Sequence, residues 1–411
     1  MNEAKEKFEA VGEIAEFKRN GQVFKFIVGN LVSFFGDQIY MIALPLIVLA
    51  ITGSPLSMGI VATLERLPVL IQPVAGVIAD RFNRRTILLV CDLLRALIVG
   101  ALGMLHITGS LLMWEVYVGS LAIGVLTQIY NTSQFASIPR LVLKKDLQLA
   151  NSVNTGIFNM AVFIGPGLGG ILVSFFHPGW ALLLNSVSFF VGFLTVLSLK
   201  LAEEVHNEIP KTWWGEIREG FVFVKNQKPI LYTNLAMLFS VFGTTLFLTM
   251  MIVHLKLSVD LSAAQIGWLL SIGGGGAVAG SLVTNVLKKT FSYRTILFTA
   301  GFIGGISIIL FGVSETFINL AIMNMIGTIS AAIMSPCIVT IRQVLTPDRL
   351  LGRVQATSRF MTWVSMPVAA FLAGVLGEHL STGFPIIIGG VISTLATFIY
   401  LHPSLSRQAV E

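Results

Sequence analysis

Twelve apolar runs separated by short polar breaks organise this chain, at residues 24 to 51, 57 to 79, 86 to 107, 112 to 136, 153 to 176, 180 to 199, 230 to 255, 264 to 286, 294 to 313, 316 to 340, 356 to 377 and 384 to 402. A helix needs roughly 20 apolar residues to cross about 30 Å of hydrocarbon, so the pattern predicts an all-α membrane protein with twelve transmembrane helices. The longest polar break, Lys200 to Lys228, falls between the sixth and seventh runs. The expected units are a tail at 1–21, an N-terminal six-helix bundle at 22–199, a linker at 200–228, a C-terminal six-helix bundle at 229–403 and a tail at 404–411. Inside the linker, Trp213, Ile217, Phe221 and Val224 recur at intervals of four, four and three, with Trp214, Glu216, Arg218 and Glu219 off that stripe. This predicts a short amphipathic helix on the inner membrane surface, against the alternative of a plain linker with incidental aromatics.

Charge sets the expected orientation. Of 27 Lys and Arg residues, 24 fall in the tails, in alternate breaks or, as Lys25, Arg294 and Arg359 do, at the run ends beside them, Lys256 alone falls in the opposite set, and Arg66 and Arg95 lie deeper within runs. Cytoplasmic loops carry the basic excess, so both termini are expected in the cytoplasm. The first 21 residues hold five Glu and four Lys or Arg and have no apolar core before a small-residue cleavage site, so they read as a cytoplasmic tail and not as a signal peptide.

Composition narrows the function class. Only 12% of residues are charged, against about 25% in a soluble chain, and the mean hydropathy is +0.83. The net charge of +6 does not signal nucleic acid, because the basic residues sit in short breaks and form no continuous face. Cys91 and Cys337 lie inside apolar runs, and the histidines at 106, 177, 206, 254, 379 and 402 are scattered, so neither metal spacing nor a nucleophile–base pair emerges and an enzyme is not expected. The glycine run Gly273 to Gly276 is not followed by lysine in phosphate-loop spacing, which argues against an ATP-driven pump.

Charged groups inside a span cost roughly 2.5 to 3.5 kcal/mol each on insertion scales, so the five that lie away from the run ends in the N-terminal half need a reason. They are Asp37, Glu65, Arg66, Asp92 and Arg95. Asp92 and Arg95 are three apart on one helical face and read as a structural pair coupled to the hairpin that follows the second run. Glu65 and Arg66 point about 100° apart, so only one of them can meet Asp37 across the contact between the first two spans. Asp37 lies near the middle of its span, where desolvation disfavours a carboxylate and suits it to taking and releasing protons. A buried ion pair between Asp37 and Arg66 that only orders the bundle is the competing reading.

Laid 202 residues apart, Arg140, Val142, Leu143, Asp146, Leu149, Thr155, Phe158 and Val162 meet identical residues at Arg342, Val344, Leu345, Asp348, Leu351, Thr357, Phe360 and Val364. Such a repeat is the trace expected of two related six-helix bundles. The break after the second run reads G-x-x-x-D-R-x-x-R-R, with Gly76, Asp80, Arg81, Arg84 and Arg85. That spacing resembles the loop signature of the major facilitator superfamily. Its counterpart around Lys288, Lys289 and Arg294 has no residue matching Asp80. In the fifth run, Gly156, Gly165, Pro166, Gly169 and Gly170 resemble the signature of drug/proton antiporters in that superfamily, with Ala161 where another glycine is usual. The stretch from Ser33 to Arg95 resembles the macrolide-efflux and enterobactin-exporter branch.

The resemblance implies the major facilitator fold, two pseudo-symmetric six-helix bundles, in a multi-pass protein of the bacterial inner membrane. It implies export of amphiphilic or drug-like molecules by proton antiport, with the proton gradient in place of any cofactor and a small-molecule substrate and the lipid bilayer as partners, in a monomer. Movement of lysophospholipid or another lipid by the same fold is the alternative. Asp80, with Arg84 and Arg85, is expected to latch the cytoplasmic side near the start of span 11, where a helix N-terminus favours an anion; the arginines could instead only set topology. Asp37, Glu65 and Arg66 are the expected proton-coupling charges, and Gly76, Asp80, Arg81, Arg84, Arg85, Asp92 and Arg95 the expected cytoplasmic gate. Spans 1, 4, 7 and 10 would line the cavity, with Gln38, Tyr40, Met41, Gln128, Tyr130, Asn131, Gln134, Asn234, Phe239 and Asn324 as candidate contacts.

Overall fold

A computed structural model describes residues 17, 20–72, 82–143, 146–199 and 213–405. In the N-terminal half the helices are α1 (Gly21–Thr52), α2 (Pro55–Arg66), α3 (Arg84–Ile107), α4 (Met113–Leu141), α5 (Leu147–Phe175) and α6 (Pro178–Leu197). The linker helix is α7 (Trp213–Asn226). The second half holds α8 (Lys228–Leu257), α9 (Ala263–Thr290), α10 (Tyr293–Gly312), α11 (Phe317–Leu345), α12 (Leu351–Trp363), α13 (Met366–His379) and α14 (Gly383–Thr397). Among the described residues, ten helical stretches are long and apolar enough to cross a membrane, α12 and α13 counting as one. With α2 and the polar α4 added, the architecture agrees with the twelve spans expected.

Local chemistry starts and stops these helices. Asn20 caps α1, its Oδ1 accepting from the N–H groups of Gln22 and Val23 while its Nδ2 donates to the Leu141 carbonyl at 2.6 Å, which ties the foot of α1 to the end of α4. Gly53 ends α1 at φ 61°, a left-handed conformation that a side chain would oppose. Ser54 and Pro55 then start α2 at once, with the Ser54 hydroxyl accepting from the Ser57 N–H. After Arg66 the chain tightens into a 3-10 turn over Leu67–Ile71, which contains Pro68. Span 11, expected at 356 to 377, begins at Leu351 and breaks between α12 and α13, where Pro367 cannot donate a helical hydrogen bond.

The N-terminal half packs α6 against α1 and α3, and α5 against α1; the second half packs α14 against α8 and α10, and α11 against α9 and α10. The halves meet along α5 with α9 and along α2 with α13. A core cluster that includes Ile47, Met58, Val61, Met250, Ala370 and Ala373 runs across both halves. It lies toward the distal face, which carries the α1–α2, α8–α9 and α13–α14 turns. Separate clusters, one around Phe26, Leu88 and Leu199 and one around Ile341 and Tyr400, sit in the individual halves toward the opposite, proximal face.

Candidate intramembrane site

Asp37 lies midway along α1 and is half-buried. Among the described residues its carboxyl makes no hydrogen bond or ion pair, and the charges nearest in effect are Arg95 and then Asp92 on α3. Arg95 is held firmly. Its Nη2 lies 2.5 Å from Asp92 Oδ1, and its guanidinium carbon sits 3.9 Å from the ring centre of Tyr130 on α4 and 4.3 Å from that of Phe189 on α6. Asp92 is 0% exposed and Arg95 2%, so neither charge has water to solvate it and the contact is sustained by pairing and by the aromatic faces. Among the described residues Asp92 Oδ2 has no hydrogen-bond partner, and it borders Gly192 of α6, where a β-carbon would stand 3.1 Å away. The pair anticipated from i,i+3 spacing therefore forms, and its neighbours are aromatic rings and Asp37.

A second polar contact joins α1 to α2. Tyr40 Oη donates to Glu65 Oε1 at 2.8 Å. The expected alternative, an ion pair between Asp37 and Arg66, is not present: Arg66 turns back along its own helix and Nη1 donates to the Ala62 carbonyl at 3.1 Å. Adjacent residues on a helix diverge by about 100°, and here Glu65 is the one that faces α1.

The glycines of α5 mark approaches of two neighbours. A β-carbon on Gly165 would come within 2.6 Å of Gln38 Cβ, and one on Gly169 within 3.0 Å of Ile39 Cα, so both admit α1. On another side, a β-carbon on Gly170 would run into the Ala263 carbonyl and lie 2.9 Å from Gly267 Cα of α9. Pro166 leaves the turn without one donor, and Gly167 N–H, next in line, donates across to Ser271 Oγ of α9 at 2.8 Å. Gly156 borders open space.

The remaining cavity candidates divide by exposure. Gln38, Tyr40 and Gln128 are half-buried, while Met41, Asn131 and Phe239 are exposed. Tyr130 and Gln134 are buried. Asn234 and Asn324 are buried and make polar contacts inside the second half. Asn234 accepts from Arg342 Nη2 at 2.8 Å and donates to Ser358 Oγ at 3.0 Å; Asn324 donates to the Leu269 carbonyl at 3.1 Å.

Arg342 is the buried charge that the sequence reading placed outside the spans. α11 continues to Leu345, five residues beyond the expected end at 340, and carries Arg342 with it to 6% exposure. The signal available in the sequence was its alignment with Arg140 in the repeat.

Of the expected gate, Gly76, Asp80 and Arg81 lie outside the described residues. Arg85 donates to the carbonyls of Leu197 (2.6 Å) and Val196 (3.4 Å), capping the C-terminus of α6, where the helix dipole favours a cation. The linker helix docks on the proximal start of span 11. Glu219 pairs with Arg349 at 2.9 Å and with Arg353, Gly220 lies against Thr357, and Val224 is buried with Ile230, Leu350 and Val354. Of the expected apolar stripe, Val224 faces this contact and Phe221 is 39% exposed.

An all-helical, multi-pass bundle in two halves, with carboxylates and arginines in its interior, defines a membrane transporter of the major facilitator fold. Residues 13–410 match the family described as transmembrane secretion effector, and the chain belongs to that family of the major facilitator superfamily. The multidrug efflux pump Tap of Mycolicibacterium fortuitum is 25% identical over 401 residues, covering 91% of this chain and 95% of that protein. The uncharacterized MFS-type transporter YfiS of Bacillus subtilis is 24% identical, covering 89% and 90%. Among solved structures, a bacterial homologue of the iron transporter ferroportin in an inward-facing state superposes with a TM-score of 0.74 at 16% identity, covering 94% of this chain and 99% of that one. A bacterial homologue of the lysosomal transporter Spinster gives 0.72 at 12% identity, covering 95% and 97%. At such identities these structures establish the fold.

Proposed function

We propose that this chain is a secondary active transporter that exports amphiphilic or drug-like small molecules by proton antiport, working as a monomer by alternating access in a bacterial cell membrane with both termini in the cytoplasm. The observation that carries the reading is Asp37, a half-buried carboxylate in mid-span with no hydrogen-bonding partner among the described residues and with the Asp92–Arg95 pair beside it. An unpartnered carboxyl at that depth is free to alternate between a proton and a cationic or neutral amphiphile. Arg95, fixed by two rings and Asp92, supplies a standing positive charge that is weakened as a partner because Asp92 already neutralises it. Glu65, tied to Tyr40, is the second candidate for a proton. The likeness to a multidrug efflux pump over nine-tenths of both chains supports the substrate class.

The test is uptake of lipophilic cations, macrolides and siderophores into inverted vesicles under an imposed pH gradient. Wild type is expected to accumulate at least one cation, and Asp37→Asn to lose gradient-driven accumulation while still binding that compound. Full gradient-driven transport in both Asp37→Asn and Glu65→Gln would refute the coupling role. Movement of labelled lysophospholipid with none of the panel would replace the drug-export reading with a lipid one.

A further inference from the structure

At the distal contact between α2 and α13, an acidic side chain crosses from one half to the other. Glu378, in the last turn of α13, accepts through Oε2 from the Ser54 hydroxyl at 2.8 Å and from the backbone N–H of Leu56 at 3.1 Å. Ser54 caps α2, and Leu56 is in its first turn. The carboxylate thus sits on the N-terminus of a twelve-residue helix, where backbone N–H groups lack partners in their own helix and the dipole favours negative charge. About one turn deeper the two helices touch through backbone: a β-carbon on Gly59 would lie 2.5 Å from Gly374 Cα, and one on Gly374 would lie 2.8 Å from Gly59 Cα. Between these levels Gly377 lies against Pro55. The polar bond is therefore the rim of a close-packed seam, and the halves cannot part at this face without breaking it.

We propose that Glu378 is the distal latch of this transporter, holding the two halves closed at the face opposite the chain termini and releasing when that face opens. The proposal rests on the alternating-access reading and adds a residue to it. Its logic is reciprocal. Span 2 is expected to offer Asp80 from its proximal end to the start of span 11, and span 11 here offers Glu378 from its distal end to the start of span 2. The distal contact is made in this structure. Because Glu378 is exposed, water competes for it and the latch is weak enough to be reversible.

Spin labels at Ser110→Cys and Val313→Cys, on distal turns of the two halves, would report the opening by electron–electron distance measurement in nanodiscs, with Cys91 and Cys337 changed to alanine. Glu378→Ala is expected to raise the ratio of long to short distances about three- to tenfold. Glu378→Gln keeps an acceptor without the charge and is expected to shift it less, as is Ser54→Ala, which removes one of the two donors. Asp260→Asn, an exposed distal acid outside the contact, should leave the distribution unchanged. A distribution in Glu378→Ala and Ser54→Ala identical to wild type would overturn the latch. A shift in these variants together with no gradient-driven transport by wild type would instead retain the latch and remove the antiport reading.

Discussion

At the scale of single residues, the five charges within the N-terminal spans divide into those that are secured and one that is open. Arg95 is secured by Asp92 and by the rings of Tyr130 and Phe189, so Arg95→Ala strands a fully buried carboxylate and is expected to cost about 3–5 kcal/mol of stability, seen as a lower melting temperature in detergent. Arg95→Lys keeps the charge but not the planar group that lies on the rings, and should recover only part of that loss. Asp37→Asn removes no hydrogen bond visible among the described residues, so its melting temperature should stay within a few degrees of wild type while coupling is lost. A fall as large as that of Arg95→Ala would show that Asp37 is structural. Asn234, by contrast, accepts from buried Arg342, and Asn234→Leu should destabilise by about 1–3 kcal/mol, because it leaves that guanidinium short of an acceptor.

At the scale of elements, the halves are joined by helices that approach closely. Gly59 with Gly374, and Gly170 with Gly267, bring α2 to α13 and α5 to α9 at backbone distance. Gly59→Val places methyl groups where Gly374 stands and is expected to cost about 1–3 kcal/mol or to wedge the distal seam open. Either outcome is read from the melting temperature together with the distal label distance, and a variant unchanged in both would show that the seam is slack. The linker helix is the other element whose behaviour the structure specifies. Glu219 holds it to Arg349 and Arg353, so Glu219→Lys should release α7 and speed tryptic cleavage at Lys225, whereas Glu219→Asp should not. Equal cleavage rates would mean that Val224 and its apolar neighbours hold the helix without the ion pairs.

At the scale of the molecule, two six-helix halves meet along two helix pairs, and the described contacts across the middle are densest toward the distal face. A fluorescent-protein fusion after Glu411 should mature inside the cell if both termini are cytoplasmic, and a dark fusion would reverse the assignment of the distal face to the outside. With that orientation the latched face is the outer one. On the antiport proposal, the proton gradient would act on a site reached alternately from each side, with Asp37 as its carboxyl.

The sequence by itself determined the bundle, the span count and the expected sidedness, because each depends on one-dimensional quantities: the length of an apolar run against membrane thickness and the distribution of basic residues among the breaks. It also determined the Asp92–Arg95 pair, since residues three apart on a helix have little choice of neighbour. Only the tertiary structure decided that Glu65 meets Tyr40 and not Asp37, that Arg66 folds back on its own helix, that Asn234 serves Arg342, and that Glu378 reaches the start of α2. Each of those is a contact between helices far apart in the chain, set by how each helix is rotated about its axis, and a rotation of tens of degrees changes the partner while leaving hydropathy and charge counts untouched.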